Sequence, residues 1–183
     1  FEGGISENEI VEIKYIASPT IINATNYKST VEVEWEKVAG AEKYQLQRVA
    51  LDSKGNNSGS YKTIKTLSAS ENSYKDTDLV AGRTYRYRVY AIWGEDKCAT
   101  PKSFKHTFLS VPKISSLENA YGGIKISWGS VKNAEKYRIM RKESGGKWKT
   151  IKTVSSSVTA YTDKTTKNGV KYYYTVKAEK GDS

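Results

Sequence analysis

Only one cysteine and one histidine occur among the 183 residues. A lone thiol closes no disulfide within the chain, and one Cys with one His cannot supply the ligands of a structural zinc site. Any core must therefore be held by packing alone, and cysteine usage leaves the redox compartment open. His106 lies in a stretch that reads as a strand, with no Ser or Cys placed by spacing to act as a nucleophile beside it. The chain is accordingly not expected to be an enzyme or to carry a cofactor. No apolar run approaches the roughly 18 residues that span a bilayer, and no basic-then-apolar leader opens the sequence, so membrane insertion is not expected. Starting at Phe1 and stopping in Gly181-Asp182-Ser183, the chain reads as a piece of something longer.

What it does have is aromatic residues and basic charge. Fourteen Tyr and four Trp can fill a core without disulfide help. The net charge of +10 is uneven: −3 over residues 1–16, +4 over 17–110 and +9 over 111–183, where 15 basic residues face 6 acidic ones. Such an excess serves either solubility or attraction to a polyanion. No recognition element accompanies it, so nucleic acid is not an expected partner.

Sliding the chain along itself uncovers a repeat. A shift of 93 residues lays Pro19 on Pro112, Ile21 on Ile114, Trp35 on Trp128, Val38 on Val131, Ala41 to Tyr44 on Ala134 to Tyr137, and Arg48 on Arg141. Further on, a shift of 87 lays Tyr61 to Thr66 on Trp148 to Thr153, Tyr74 on Tyr161, Asp76 on Asp163, and Gly82 on Gly169. Tyr85, Tyr87, Val89 and Ala91 then fall on Tyr172, Tyr174, Val176 and Ala178. The difference of six is an insertion near Asp52 to Ser60, rich in Gly, Asn and Ser as a tolerant surface loop should be.

The matched segments alternate apolar and polar residues, as in Val31-Glu32-Val33-Glu34-Trp35 and in Tyr85, Tyr87 and Val89 between Arg86, Arg88 and Tyr90. Period-two alternation in short runs, with turn residues between them and no helical period, predicts an all-β sandwich in each repeat. The order of motifs is specific: an early Pro and Ile, Trp on the second strand, Tyr on the third, then Leu79-Val80-Ala81-Gly82-Arg83-Thr84-Tyr85. Together they resemble the fibronectin type III family, and the Tyr-x-Tyr-x-Val pattern is similar to repeats in secreted proteins of Gram-positive bacteria. The resemblance implies two tandem immunoglobulin-like sandwiches. It also implies that Tyr85 is a tyrosine corner bonded back to the upstream backbone. Thr166, where the first repeat has Leu79, implies a less well packed corner around Tyr172.

The ends do not match the repeats. The first has a final strand near Phe104 to Leu109, whereas Ser183 falls on Asp96, so the second lacks that strand. The 93 shift lays Val11, Ile13, Tyr15 and Ile16 on Phe104, His106, Phe108 and Leu109. The expected organisation is residues 1–16 as the last strand of a preceding repeat or a linker, 17–110 as the first domain, and 111–183 as the truncated second. An open strand edge invites pairing, and residues 8–16 of a neighbouring molecule, with Val11, Ile13 and Tyr15 facing inward, are one candidate for head-to-tail strand addition. The other reading leaves this segment free or packed on the first domain.

On the surface, Trp93 and Tyr90 are candidate sugar-stacking residues, with partial burial of Trp93 at the domain interface as the alternative. Arg86 and Arg88 project from the same face as candidate anion ligands. Asp76-Thr77-Asp78 is a weak calcium candidate, but the match of Asp76 with Asp163 fits a turn-forming side chain better. Trp35 and Trp128 read as core, and Tyr61 and Trp148 as packing residues. The sum is a non-catalytic extracellular module, at the cell surface or secreted, that spaces or presents neighbouring domains of a larger bacterial protein. Adhesion to anionic cell-wall polymers or glycans is the alternative.

Overall fold

The structure, a computed structural model, describes residues 13–181, and among these there is no helix. In the first repeat, β1 (Ile21–Asn26), β2 (Val31–Trp35) and β5 (Ser73–Asp76) form one antiparallel sheet, with β2 in the middle. The facing sheet has β3 (Lys43–Ala50) between β4 (Lys62–Ser68) and β6 (Thr84–Trp93). Two short strands share the outer edge of β6. Its end pairs with β7 (Asp96–Lys97), and its first four residues pair with β8 (Phe104–Thr107).

The second repeat has the same plan. β9 (Ile114–Ala120), β10 (Gly123–Trp128) and β13 (Ala160–Asp163) form one sheet around β10. β12 (Lys149–Ser155), β11 (Lys136–Glu143) and β14 (Tyr172–Glu179) form the other around β11. Among the described residues nothing pairs with the outer edge of β14, so the second sandwich has no counterpart of β8. Even the bulges repeat, between Leu46 and Gln47 in the first and between Ile139 and Met140 in the second.

Alternation explains why these segments are strands. β6 turns Tyr85, Tyr87, Val89 and Ala91 inward and the residues between them outward, and β2 does the same with Val31, Val33 and Trp35. Each large apolar side chain taken from water contributes roughly 1.5–3 kcal/mol. At the centre of each core a Trp meets a Tyr edge to face, Trp35 with Tyr44 at 5.7 Å and Trp128 with Tyr137 at 5.6 Å. These tyrosines also serve the loops, since their hydroxyls accept from the backbone N–H of Val38 and of Val131, both at 2.7 Å. The insertion at 52–60 is a hairpin closed by the Leu51–Asn57 bridge, with Asp52 accepting from the N–H groups of Lys54 and Asn56.

Both tyrosine corners are formed: the Tyr85 hydroxyl accepts from Val80 N–H at 2.9 Å and the Tyr172 hydroxyl from Lys167 N–H at 3.0 Å. Leu79 packs against the first core, and in the second the half-buried Thr166 stands in its place.

Most of the segment expected as the last strand of a preceding repeat or a linker lies outside the described residues. Residues 13–20 form no ladder among the described residues. Ile16 enters the first core and Lys14 lies over Trp93. Ile13 and Tyr15 are 90% and 88% exposed, and Val11 lies outside the described residues.

A buried polar constellation ties the two sheets of each sandwich together. Arg48 on β3 donates to both carboxylate oxygens of Asp76 on β5, at 2.7 and 2.8 Å, and the Tyr87 hydroxyl donates to the same carboxylate at 2.8 Å. Arg141, Asp163 and Tyr174 repeat this at 2.7 and 2.9 Å. Asp76 and Asp163 also accept from the N–H two residues on, so the turn role expected of them is real but secondary. With its carboxylate held by an arginine and a tyrosine, Asp76 is engaged within the fold rather than offered to a calcium ion.

Burial opposes ionisation of Asp163, but hydrogen bonds from Thr165, then from Arg141 and Tyr174, outweigh it and hold the carboxyl below its ordinary value of 3.8. Burial first, and the carboxylate second, push the Tyr174 phenol above its ordinary value of 10. A lowered carboxyl stabilises the fold above the unfolded value and loses that contribution as pH falls through the folded one. A raised phenol gives the opposite limb, lost as pH rises above 10. Asp163→Asn should cost about 3 kcal/mol at pH 7, because it leaves Arg141 without its counter-charge. It should also flatten the acid limb of the second domain's melting temperature, as checked by thermal unfolding between pH 2 and 7.

Candidate functional site

The outward residues of β3 and β6 build one cation and aromatic face on the first sandwich. Strand pairing sets Gln47 opposite Arg88 and Gln45 opposite Tyr90, so Arg86, Arg88 and Tyr90 stand in a row, whereas Trp93 shares the phase of Tyr85 to Ala91 and packs against the first core. The Arg88 guanidinium lies 3.9 Å from the Tyr61 ring and 5.2 Å from that of Tyr90, and its Nε donates to Gln47 Oε1 at 2.9 Å. Gln47 in turn donates to Gln45 Oε1, which also accepts from Lys97 Nζ at 3.0 Å. Arg86 donates to Asn57 Oδ1 at 2.7 Å, an acceptor supplied by the inserted hairpin.

Two properties follow. The cations on this face are anchored to neutral amides, and among the described residues neither Arg86 nor Arg88 has a carboxylate partner. The face can therefore attract an anion without first breaking an ion pair. Its rings, in contrast, are already occupied. Trp93 is half-buried against the first core and carries Lys14 Nζ 3.6 Å from its ring centroid, so a sugar ring would have to displace that ammonium to stack there. Tyr61 belongs to neither core and serves as the platform for Arg88. Its counterpart Trp148 is 42% exposed beneath Lys142, so packing is not what these two positions are for.

No catalytic arrangement accompanies the face. His106 is inward-facing on β8, and Cys98 is buried, its sulfur accepting from Ala91 N–H. Among the described residues no group of three or more His, Cys, Asp or Glu side chains gathers where a metal ion could be held. No helix among them is long and apolar enough to cross a membrane.

Sequence reasoning missed a second feature, the joint between the repeats. Asn26 at the end of β1 donates to Thr107 O at 3.1 Å and accepts from Leu109 N–H at 3.4 Å. Asn133 of the second repeat, in a left-handed backbone conformation with φ of 63°, donates to Gly82 O at 2.6 Å. Gly82 must be glycine here, since its φ is +79° and a Cβ would come 2.9 Å from Lys132 Cγ. The recurrence of Asn26 as Asn119 under the 93-residue shift was the available signal for part of this joint.

Two three-stranded or larger sheets packed face to face, repeated along the chain, define a pair of β-sandwich domains. Residues 20–97 match the family described as the fibronectin type III domain, SaeA third domain. The first repeat is thus a fibronectin type III-like sandwich, and the second, which among the described residues has the same strand order apart from β7 and β8, is another. Domains of this kind are typically non-catalytic. Solved structures similar to the chain include a segment of two fibronectin type III domains from chicken tenascin, at 22% identity and TM-score 0.44, covering 90% of this chain and 93% of that one. An Fn3-like protein from Clostridium thermocellum is similar at 24% identity and TM-score 0.44, covering 58% of this chain and all of that one. The FN1–FN3 domains of chicken CNTN1 are similar at 19% identity and TM-score 0.41, covering 90% and 62%. No curated protein matches the chain.

The stacked guanidinium has a measurable role. Arg88→Ala should lower the first domain's stability by about 1 kcal/mol through loss of the cation–π contacts. Arg88→Lys should recover less than half, because an ammonium cannot lie flat on Tyr61 while donating to Gln47. Urea denaturation at pH 7 measures both.

Proposed function

We propose that this chain is a non-catalytic extracellular spacer that holds and presents neighbouring domains of a larger bacterial surface or secreted protein. One observation carries the reading: Phe108 is buried in the first core and the very next residue, Leu109, in the second. No flexible residue separates the two anchors, so swinging one domain against the other means pulling a large apolar side chain out of a core, at roughly 1.5–3 kcal/mol. The Asn26 clamp and the Asn133 to Gly82 hydrogen bond add direction to that anchor. A joint of this kind transmits separation and orientation, as a presenting module requires. Placement outside the cell is supported by the similarity of the repeats to those of secreted Gram-positive proteins, and labelling of intact cells with an antibody against this segment tests it.

Adhesion to an anionic wall polymer is favoured by a different observation, the two guanidiniums of the Arg86 and Arg88 face whose hydrogen bonds go to side-chain amides. If that face is the working surface, wall-polymer capture should fall with salt and be lost in an Arg86→Ala, Arg88→Ala double variant.

The spacer reading makes its own prediction. Spin labels on the outer ends of the two domains should give a single narrow distance distribution. Leu109→Ala should broaden it, and Asn133→Ala should broaden it to a lesser degree, with each domain still folded. A distribution already broad in the unmodified chain would exclude a spacer function.

A further inference from the structure

The outer face of the second sandwich differs from that of the first in ways that uncover it. In the first, the inserted hairpin reaches over the sheet: Arg86 donates to Asn57, and Val49, opposite Arg86 in the ladder, is buried. The second repeat has no such insertion, and Lys142 and Tyr173 stand where Val49 and Arg86 do. Arg88, which lies on Tyr61, is replaced by Thr175, a side chain too short to cover Trp148. The Trp148 and Tyr173 rings are left 42% and 43% exposed.

Strand pairing puts these residues in a row. Lys142 is directly opposite Tyr173 of β14. On its other side, Trp148 directly precedes the rung that joins Lys149 of β12 to Arg141 of β11, which brings it beside Lys142. The Lys142 Nζ lies 5.2 Å from the centre of the Trp148 ring and 5.6 Å from that of Tyr173. It stands between the rings and caps neither, unlike Lys14, which sits 3.6 Å from the centre of the Trp93 ring. Because β12 and β14 flank β11, the rings are about 10 Å apart, two strand spacings. None of the three side chains belongs to the second core, and the row points out of the sheet, so it does not depend on what lies beside β14.

The charge around the row is mostly of one sign. Lys142, Lys147 and Lys149 line a cleft of about 340 Å³ next to it. Among the described residues none of these lysines has an ion-pair partner, and the carboxylate at the cleft, Glu143, is exposed and pairs with no cation. An apolar protein partner would have to strip water from these ammonium groups without replacing it. A single-stranded nucleic acid needs a charged groove that follows its backbone beside the stacked bases, whereas here the cation stands in line with the rings on a flat face. An acidic sugar chain matches both features. The C–H bonds of a pyranose ring suit the negative face of an aromatic ring. A carboxylate on such a ring lies level with the stack, where Lys142 is.

We propose that the row of Trp148, Lys142 and Tyr173 binds a polysaccharide of carboxylate-bearing sugar residues, with a sugar ring stacked on each aromatic and a carboxylate between them held by Lys142. Lys147 and Lys149 extend the attraction along the polymer. This site is on the other sandwich from the Arg86 and Arg88 face, and it stands whether or not the joint between the domains is stiff.

Affinity electrophoresis of the full chain in gels containing polygalacturonate tests this. The expected result is retardation that grows with polymer concentration and falls with added salt. Trp148→Ala and Tyr173→Ala should each weaken binding about tenfold, as truncating an aromatic anchor does. Lys142→Gln should weaken it about threefold. Trp148→Phe, which keeps a ring, should retain most of the affinity, and unchanged thermal unfolding shows that the variants are folded. The Arg86→Ala, Arg88→Ala double variant should bind as the unmodified chain does, which tells this site apart from that face. Equal retardation by neutral dextran, tighter binding of an oligothymidylate, retardation that survives both alanine substitutions or is lost in the double-arginine variant, or no retardation in a gel saturated with polygalacturonate would each overturn the proposal.

Discussion

Two adjacent side chains, Phe108 and Leu109, point into different hydrophobic cores. Successive residues of an extended chain face opposite ways, so a strand leaving one sandwich can bury one residue behind it and the next ahead of it. That geometry removes the linker between the domains, fixes where the second sandwich begins, and gives Asn26 and Asn133 fixed backbone groups to hold. At the N-terminal end Ile16 likewise enters the first core while Tyr15 beside it faces away from that core.

Within each sandwich a single carboxylate does the equivalent work between sheets. Asp76 and Asp163 take an arginine from the opposite sheet and the hydroxyl of a tyrosine two positions beyond the corner tyrosine. A buried charge satisfied so fully resists replacement of any one member, because the others would be left unpaired in a medium that solvates them poorly. The same arginines lie 5.0 and 4.5 Å from the corner tyrosine rings, Tyr85 and Tyr172, so the polar constellation and the corner form one unit.

The outer face of the first sandwich is satisfied in a different way. Arg88 lies on Tyr61, and Arg86 and Arg88 both donate to amides, which orders them without neutralising them. A surface so arranged keeps its positive field while losing little side-chain entropy to a partner.

The alternation of apolar residues and the self-match at shifts of 93 and 87 determined the all-β class and the two sandwiches, because each depends on local period and order along the chain, and the order of motifs pointed to the tyrosine corners through a family resemblance. Arg86, Arg88 and Tyr90 were likewise legible as outward residues, from their phase opposite Tyr85, Tyr87 and Val89. Tertiary structure alone decided what those side chains meet. The guanidinium of Arg88 finds Tyr61 across the sheet, Trp93 is capped by Lys14, and Asp76 is drawn from a turn role into an ion pair with Arg48. Such pairings join residues dozens of positions apart, and the joint at Asn26, Gly82 and Asn133 depends on how two finished sandwiches abut. Period along a chain says which way a side chain faces, and only the packed fold says what is there to receive it.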